Sequence, residues 1–408
     1  MSNFVDEKLI LSKIKIRKRK LTSTYQNLKL TMGKYIMKKS LLALAVVAAA
    51  TSANAATVYD KDGTSLAVGG RVQAVVYNGN AAGIAENDAG LVNSARLNIA
   101  GSTKINDSVS VFAFSEWNMA DGNTSGQSWG DSINTREQYV GADYGDFGKI
   151  LGGKTYDAAN AVLAATDVFE DFGARLQGSI NGDRRTGMFR YVYDNNGIFG
   201  SVSYQTAADD STVQGSKADV EGGFAAAAGY TFDNVVFGPL SFKAGYSYVK
   251  GQDDFSKTIG QFENSETFDN FKVISASIAW GSTDNGLYIG ALYNTQRVKQ
   301  RANDFVPSNS SNSDKKKGYE FVVGYTFDNG IGAFTGYNFV DVKTKEGSIN
   351  SDSEIYRRVP VYVNYAINDN FNIWGEAEFD ANSTTEKDHK AQYGETGTML
   401  SAGARYTF

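Results

Sequence analysis

The sequence predicts an all-β fold, namely a sixteen-stranded antiparallel β-barrel that crosses a membrane. The chain has 43 glycines but only 3 prolines in 408 residues, and its 23 tyrosines and 24 phenylalanines favour strands. Short segments of alternating polarity follow one another from residue 56 to the end, which is typical of transmembrane barrels. The longest apolar run, Leu41–Ala50, is shorter than the ~20 residues that a membrane-spanning helix needs.

The beginning of the chain is predicted to consist of processing segments rather than folded structure. A positive segment, Met37–Lys39, precedes the apolar run, and the small residues Ala53–Ala55 follow it. This order is typical of a secretory signal peptide. We therefore predict a signal peptide over 37–55, with Ala56 as the first mature residue. Residues 1–36 show no fold-like pattern and are predicted to be a non-native extension upstream of the natural start.

The residue types that are rare in this chain exclude several functions. There is no cysteine and only one histidine, His389. Disulfides, thiolate zinc sites and multi-histidine metal sites are therefore excluded, and no cofactor is predicted. A barrel enzyme would need a Ser/His or Asp/His constellation on its wall, whereas His389 lies in a polar connection. The sequence thus predicts a protein that is not an enzyme.

The charge of the predicted mature domain, residues 56–408, is strongly negative. Residues 1–55 hold 11 Lys and Arg and 2 Asp and Glu. The mature domain therefore keeps 29 basic and 43 acidic residues, a net charge of −14. Such a charge argues against a nucleic-acid partner and favours the attraction of cations.

The strand count follows from two kinds of connection. Tight connections rich in Asn, Asp and Gly supply the positive φ of hairpin turns, and they occur at 105–107, 144–146, 194–197, 233–234, 284–286, 328–330 and 368–370. Long polar connections occur at 79–91, 120–133, 157–182, 207–220, 251–269, 298–317, 343–356 and 381–396. Seven tight turns that alternate with eight long connections give sixteen strands, with short turns at one end of the barrel and long loops at the other.

Individual strands alternate as a barrel wall requires. In the segment 224–232 the even positions are apolar, with aromatic residues at both ends, and the odd positions are small or polar. Eight steps of ~3.3 Å, tilted by ~40°, rise about 20 Å, close to the apolar band of a membrane barrel. The last strand places Leu400, Tyr406 and the terminal Phe408 on one face, which resembles the C-terminal assembly signal of outer-membrane barrels. A soluble β-sandwich also alternates, and it is the alternative at this point.

The same parity predicts which arginines face the lumen. An arginine near the lipid midplane costs ~2–4 kcal/mol, so a mid-strand arginine flanked by aliphatic residues is predicted to point inward. The residues assigned to this basic wall are Arg71 (with Gln73), Arg96 (with Asn98), Arg136 (with Gln138), Arg184 and Arg190. Arg185 has the opposite parity, and the placement of Glu116 stays open because it shares a face with Phe112 and Phe114.

Four segments resemble the general diffusion porins of Gram-negative outer membranes. These segments are Ala56–Thr64 (ATVYDKDGT), Phe147–Lys154 (FGKILGGK), Thr166–Gly173 (TDVFEDFG) and the terminal Tyr406–Phe408. The family often has Pro-Glu-Phe-Gly-Gly at the tip of its third loop, whereas this chain has Glu-Asp-Phe-Gly-Ala at 170–174.

The resemblance implies a homotrimer of barrels in the outer membrane, each with the third loop (157–182) folded inward. It also implies that Asp167, Glu170 and Asp171 face the arginine wall across a constriction. Small hydrophilic solutes would pass by diffusion. The net negative charge of the mature domain and the acidic loop predict a mild preference for cations. The expected partners are these solutes, outer-membrane lipid and lipopolysaccharide, and the barrel assembly machinery, which would recognise Tyr406 and Phe408.

Two other functions stay open at the level of sequence. One is a substrate-specific channel for sugars or phosphate; Trp374 has lumenal parity, but no aromatic ladder accompanies it in the sequence. The other is a barrel adhesin, whose long loops would bind a host surface. A conductance measurement in a planar bilayer under a salt gradient distinguishes these classes, because only a channel conducts and only a specific channel is blocked by its solute.

Overall fold

A computed structural model of the chain describes residues 55–78, 90–120, 133–173, 184–213, 216–252, 268–300, 313–346, 349–350, 354–382 and 397–408. The predicted upstream extension and nearly all of the predicted signal peptide lie outside the described residues. Within the described ranges, no helix has the length and apolar character needed to cross a membrane.

The described residues form nineteen strands and two short 3-10 helices. The strands are β1 (Ala56–Lys61), β2 (Thr64–Tyr77), β3 (Gly90–Lys104), β4 (Ser110–Ala120), β5 (Ile133–Asp143), β6 (Lys149–Thr155), β7 (Arg185–Asn195), β8 (Ile198–Gln205), β9 (Ala208–Val213), β10 (Ser216–Val235), β11 (Gly238–Gly251), β12 (Phe268–Gly281), β13 (Gly286–Gln300), β14 (Ser313–Thr326), β15 (Ile331–Glu346), β16 (Ile349–Asn350), β17 (Glu354–Asn368), β18 (Phe371–Asp380) and β19 (Met399–Thr407). The helices span Gly145–Phe147 and Ala158–Ala165.

Sixteen of these strands form one closed antiparallel wall. Each wall strand pairs with the next along the chain, and β19 returns to pair with β2. Closure leaves no unpaired sheet edge, which a lipid environment requires. The other three strands are short: β1 continues the β2 edge beyond the end of β19, β9 extends the β8 edge along β10, and β16 pairs with the end of β15. The predicted sixteen-stranded barrel is confirmed.

The turns follow the predicted chemistry in most places. Asn196 and Gly197 take φ angles of 54° and 77°, the positive values that a two-residue hairpin turn demands. The predicted turn at 233–234 was wrong by three residues, because the β10–β11 turn lies at Val236 and Phe237. Trp280 stacks on Phe237 and donates its indole N–H to the carbonyl of Val235, which holds the turn at the later position.

The predicted long connection at 207–220 was also wrong in part. Strands β9 and β10 run through most of it, so the hairpin continues well beyond the wall of neighbouring β7. Ala218 and Val220 lie two residues apart on β10, so they share the buried face of the strand, and the pairing register with β9 shifts between them. Polar composition alone did not reveal this extension, because strand residues beyond the membrane need no apolar outer face.

The wall has an apolar outer face and a mixed inner face. On β14 the side chains of Tyr319, Phe321 and Val323 are exposed on the outside, while Glu320 and Val322 between them are buried inside. Exposed aromatic and aliphatic side chains continue around the outer face, which is the surface that lipid covers in a membrane barrel. The predicted parity of β10, β14 and β18 agrees with these faces.

Candidate functional site

The chain leaves the wall after β6 and enters the barrel. Its described part, residues 156–173, is named the inner loop here, and the helix Ala158–Ala165 within it is the loop helix. The loop helix contacts β8, β10, β11, β12 and β13. The tip, residues 170–173, contacts β2, β18 and β19. These strands lie in separate parts of a closed ring, so the inner loop spans part of the lumen between them.

One buried aspartate holds the start of the loop helix. Oδ1 of Asp157 accepts the backbone N–H groups of Ala159 and Asn160 at 3.0 and 3.2 Å, which satisfies the free donors of the first turn. Its Oδ2 accepts from Arg185 at 2.9 Å and from the Ser247 hydroxyl at 2.6 Å. Asp157 and Arg185 are almost fully buried, so the pair fixes the loop helix to two separate strands.

Small residues on the wall make room for the loop helix. Ala159 packs with Ala225 of β10 in a buried cluster. A Cβ atom added at Gly245 of β11 would lie 3.0 Å from Val162 and 3.3 Å from Ala159. The loop helix is rich in alanine for the same reason: two backbones can approach closely only where neither side carries bulk.

The tip is held by a wall carboxylate that binds its backbone. Glu376 of β18 accepts the N–H groups of Glu170 and Asp171 at 2.9 Å each and that of Phe172 at 2.6 Å. Hydrogen bonds to a carboxylate are roughly twice as strong as neutral ones. Three of them from successive residues fix the conformation of the tip, as a carboxylate does at the start of a helix.

The side chain of Asp171 is a second attachment of the tip. Its two carboxylate oxygens accept hydrogen bonds of 2.6 to 2.8 Å from three wall donors, the hydroxyl of Tyr77, the indole N–H of Trp374 and the hydroxyl of Ser401. The wall therefore occupies both oxygens of this carboxylate. Phe172 is buried beside them, edge-on to Tyr77.

Glu170 forms an ion pair with an arginine of the last strand. The Nη1 and Nη2 atoms of Arg405 each donate a hydrogen bond to the Glu170 carboxylate. This two-bond geometry fixes the orientation of the pair as well as its distance. Arg405 also donates to Gln73 at 3.0 Å and lies over the Trp374 ring at 5.0 Å. Sequence reasoning missed Arg405, although the outward parity of Leu400 and Tyr406 would have placed it inside.

Two arginines of the predicted basic wall lie side by side. Arg71 of β2 and Arg96 of β3 are direct cross-strand partners, and Arg96 donates to Asn118 of β4 at 3.0 Å. Among the residues that the structure describes, neither of the two arginines forms an ion pair. Like charges directly opposite each other on a sheet repel, so this pair is a concentrated positive site on the lumen wall.

The next arginines along the wall are paired with carboxylates of the same wall. Arg136 forms an ion pair with Glu116, and Arg184 lies 3.5 Å from Glu137 and over the Tyr156 ring at 4.2 Å. Glu116 therefore lies inside the barrel, which parity had left open. Sequence reasoning also missed the inward position of Glu137. The basic wall is thus partly neutralised from within.

A β-bulge explains how Arg136 and Glu137 both point inward. Glu116 pairs with Glu137, but the next residue, Trp117, pairs with Thr135, so Arg136 is an extra residue in β5. The parity prediction grouped Arg136 with Gln138 on the lumen side. Gln138 is instead exposed on the outer face, because the bulge shifts the alternation by one residue.

The two arginines of β7 both point away from lipid. Arg185, predicted with the opposite parity, is buried against Asp157. Gly187 takes a φ of 73°, a left-handed conformation that interrupts the strand geometry and allows Arg185 and Met188 to be buried on the same side. Arg190 follows the predicted parity and donates to the Ser201 hydroxyl at 3.1 Å.

Asp167 differs from the other two acidic residues of the inner loop. It is exposed to the lumen, and no hydrogen bond or ion pair to it occurs among the described residues. Enclosure by the surrounding barrel raises the pKa of its carboxyl, and the nearby Glu170 raises it further, while Arg184 opposes both. Asp167 is therefore the acidic group of the inner loop that is available to a passing solute.

The two predicted assembly residues lie at the seam where the barrel closes. Phe408 exchanges two backbone hydrogen bonds of 2.8 and 2.9 Å with Gly70. A Cβ atom at Gly70 would lie 2.8 Å from the Phe408 ring, so the ring covers this glycine. Tyr406 stacks with Phe408, and its side chain is half exposed on the outer face.

Known proteins share this sequence and this fold. A family model described as Gram-negative porin matches residues 42–341. The putative outer membrane porin protein NmpC of Escherichia coli K12 is 28% identical over 394 residues, covering 91% of this chain and all of the relative. The outer membrane porin protein OmpD of Citrobacter koseri is 28% identical over 388 residues, with the same coverage.

Solved structures agree in fold. The OmpF structure of Salmonella typhi has a TM-score of 0.66 at 19% identity, covering 86% of this chain and all of that chain. The trimer form of OmpT, an outer membrane protein of Vibrio cholerae, has a TM-score of 0.59 at 16% identity, covering 85% of this chain and all of that chain. The match of the family model over most of the chain, on a closed barrel with a partly obstructed lumen, shows that the chain belongs to the Gram-negative porin family of passive outer-membrane diffusion channels.

Proposed function

We propose that this porin is a general diffusion channel with a mild preference for cations, narrowed by the inner loop. The observation that carries the proposal is the charge balance of the lumen. Glu116 and Glu137 neutralise two of the arginines that sequence reasoning placed on the basic wall. Asp167, in contrast, stands on the inner loop without an ion pair among the described residues, and the predicted mature chain has a net charge of −14.

The preference is expected to be modest because Arg71 and Arg96 oppose it. At ~0.15 M salt the Debye length is ~8 Å, comparable to the radius of a small pore, so lumen charges act on ions throughout the cross-section. At 1 M salt the Debye length falls to ~3 Å, and the preference for cations should largely disappear.

The reversal potential of single channels in a planar bilayer tests this proposal. With KCl at 0.1 M on one side and 0.01 M on the other, the sign of the reversal potential should correspond to K⁺ preference. The reversal potential should approach zero when both concentrations are raised tenfold. A reversal potential of the opposite sign at low salt contradicts the proposed selectivity, although the channel itself would still conduct.

A second candidate is an anion channel for phosphate, and the Arg71–Arg96 pair favours it. Two adjacent guanidinium groups match the oxygens of a phosphate, which arginine binds through two parallel hydrogen bonds. Millimolar phosphate added to a KCl solution should block current in a phosphate channel and leave a general cation-preferring channel almost unaffected. The long connections on which an adhesin would depend lie largely outside the described residues.

We also infer that three copies assemble, with outer-membrane lipid and lipopolysaccharide around them and the barrel assembly machinery as the partner during folding. The apolar outer face supplies the surface for lipid and for neighbouring copies. OmpT of Vibrio cholerae is known in a trimer form. Mass measurement of the detergent-solubilised protein by light scattering tests the assembly; a monomer mass in several mild detergents contradicts it.

A further inference from the structure

Four basic side chains form a continuous row on the outer face of the barrel. They are direct cross-strand partners on the successive strands β12 to β15, namely Lys272, Arg297, Lys315 and Lys343. All four side chains are exposed. Phe271 and Val273, on either side of Lys272 in its strand, are buried on the inner face, and so are Gln296 and Val298 beside Arg297. The row therefore points away from the lumen.

Two further lysines extend this row toward the long connections. Lys299 of β13 and Lys345 of β15 are both cross-strand neighbours of Ser313, two residues beyond the row. The four residues of the row and these two lysines are named the outer basic surface here. Like charges directly opposite each other destabilise a sheet, so this arrangement is unfavourable for the barrel alone.

Among the residues that the structure describes, no carboxylate forms an ion pair with the outer basic surface. The two acidic side chains nearest to it on the outer face already have other partners. Asp341 lies 3.3 Å from Lys317, and the exposed Glu221 forms an ion pair with Lys250. An anion from outside the chain would therefore relieve the repulsion between the six cations.

The outer basic surface lies just beyond the apolar band of the wall. Tyr293, Tyr319 and Phe339 form a row of cross-strand partners on the same face, and the Tyr319 and Phe339 rings stack at 5.0 Å. Aromatic rows of this kind mark the boundary between the apolar band and the headgroups. The row that contains Lys315 lies four residues further along the strands, and four steps of ~3.3 Å, tilted by ~40°, rise about 10 Å.

The position of this surface identifies the leaflet that it meets. The strands β12 to β15 enter their long connections beside it, and long connections mark the extracellular end of outer-membrane barrels. The surface also occupies only one side of the barrel. At the same end of β2 to β5, described outward positions carry Leu91, Asn93 and Ile133, and no lysine or arginine points outward there. The six cations thus face headgroups of the outer leaflet over a limited sector.

We propose that the outer basic surface binds the phosphate groups of lipopolysaccharide directly, without a divalent cation between protein and lipid. The inference rests on the proposed function, in which lipopolysaccharide surrounds the barrel, and it assigns the contact to β12–β15. Lipopolysaccharide is the phosphorylated lipid of the outer leaflet. Arginine binds phosphate through two parallel hydrogen bonds and lysine binds it as a point charge, so Arg297 and the lysines beside it match a headgroup with more than one phosphate.

The composition of the surface argues for direct contact. A divalent cation that bridges protein and phosphate needs oxygen ligands from the protein. The outer basic surface has no carboxylate to supply them, and across the part of the chain that the structure describes, no group of three or more acidic or histidine residues could hold a metal ion. Guanidinium and ammonium groups take the place of the metal here, and they compete with it for the same phosphate oxygens.

The test is binding of lipid A to the full detergent-solubilised protein in EDTA, measured as a dissociation constant by native mass spectrometry. Monophosphoryl lipid A with the same acyl chains is the matched lipid. A basic side chain beside an anionic lipid strengthens binding about fivefold, so the diphosphoryl form should bind about fivefold to thirtyfold more tightly. Replacing EDTA by millimolar Mg²⁺ should weaken binding or leave it unchanged, and 1 M salt should weaken it through screening.

Three double variants locate the contact. Arg297→Gln with Lys315→Gln removes two adjacent charges at exposed positions, and it should weaken binding of diphosphoryl lipid A about tenfold to thirtyfold. Arg297→Lys with Lys315→Arg keeps both charges and should stay within about threefold of the wild type. Lys61→Gln with Lys104→Gln makes the same change of net charge at exposed positions of the other end of the barrel, and it should have almost no effect.

The outcomes separate this inference from the proposed function. Binding that disappears in EDTA and returns with Mg²⁺ overturns the direct contact, and equal effects of the two Gln pairs overturn the assignment to the outer basic surface. Equal affinity for the two lipids overturns phosphate recognition. The KCl conductance of the same proteins reports the channel independently: a wild type that inserts but carries no current overturns the proposed function. Binding in EDTA that weakens only in Arg297→Gln with Lys315→Gln supports the inference.

Discussion

At the scale of single residues, the acidic groups of the inner loop have divided roles. Asp171 is bound by three wall donors and Glu170 by Arg405, whereas Asp167 keeps its carboxylate toward the lumen. A carboxylate that is fully hydrogen-bonded acts on structure, and one that faces water acts on ions. Selectivity and loop position therefore depend on different members of the same acidic cluster.

Replacing Asp167 by Asn should reduce cation preference without widening the channel. The two side chains are nearly equal in size, so conductance in 1 M KCl should stay close to that of the wild type, where salt screens the remaining charges. At 0.1 M salt the reversal potential should shift toward zero. Asp209→Asn, in the extension beyond the wall, serves as control; an equal shift in both variants would show that Asp167 acts only through net charge.

The cation preference should also depend on pH through Asp167. Enclosure and Glu170 raise the pKa of its carboxyl, so the charged form that attracts cations is lost as pH falls through this raised value. The preference of the wild type should therefore begin to decline at a pH above the ordinary aspartate pKa of about 3.9. Reversal potentials measured from pH 8 to pH 4 check this, and Asp167→Asn should lack that part of the decline.

At the scale of elements, a buried carboxylate holds each end of the inner loop, one from the loop itself and one from the wall. Asp157 belongs to the loop and binds the wall through Arg185 and Ser247, while Glu376 belongs to the wall and binds the backbone of the tip. Between them the loop helix packs on small wall residues. The loop is therefore a fixed part of the barrel, and its position sets the free cross-section.

Replacing Asp157 by Leu should release the start of the loop helix. Removing one partner of a buried ion pair leaves an uncompensated charge on Arg185 and costs about 3–5 kcal/mol. The expected results are a lower unfolding temperature and a larger, noisier single-channel conductance. The double variant Asp157→Leu with Arg185→Leu should recover part of the stability; a double variant that is less stable than the single one would contradict the buried-pair explanation.

At the scale of the whole molecule, closure depends on the first and last wall strands. β2 pairs with β19 along one part of its edge and with β1 along the rest, so the first and last strands of the predicted mature domain meet on one strand. Gly69 and Gly70 lie at this junction, beside Ala55 and Phe408 respectively. Neither glycine leaves space for a side chain, because Ala55 and Phe408 pack directly on the backbone there.

Replacing Phe408 by Asp should impair assembly more than it destabilises the folded barrel. The residue lies at the end of the seam, and its two backbone hydrogen bonds to Gly70 can form with any side chain at this position. Its ring, however, is the part that the assembly machinery is expected to recognise. The amount of folded protein in outer membranes should fall severalfold, while the unfolding temperature of the recovered fraction changes little. Normal amounts of folded protein would contradict this role.

The mature protein should begin at Ala56, the first residue of β1. Ala53 and Ala55 supply the small side chains that signal cleavage requires. An intact mass measured on protein from outer membranes checks this prediction. A mass that includes the basic residues before Met37 would refute both the signal peptide and the upstream extension.

The sequence by itself determined the barrel and the faces of its strands. The side-chain period of a strand is two, and a membrane requires an apolar outer face. In a membrane barrel, the apolar positions of β14 or β18 must therefore face lipid and the alternate positions must face the lumen. Parity also placed Arg71 and Arg96 inside. It failed at Gln138 and Arg185, because a bulge and a left-handed glycine change the period locally without a strong signal in composition.

Only the tertiary structure decided which charges neutralise one another. Arg405 and Glu170 are 235 residues apart in the chain, and Arg185 and Asp157 are 28 apart. Such contacts exist because the ring closes and the inner loop enters it, and no local pattern encodes their pairing. The sequence therefore predicted a channel, while the folded lumen determined that Asp167 has no hydrogen bond or ion pair among the described residues and that Asp171 attaches the loop to the wall.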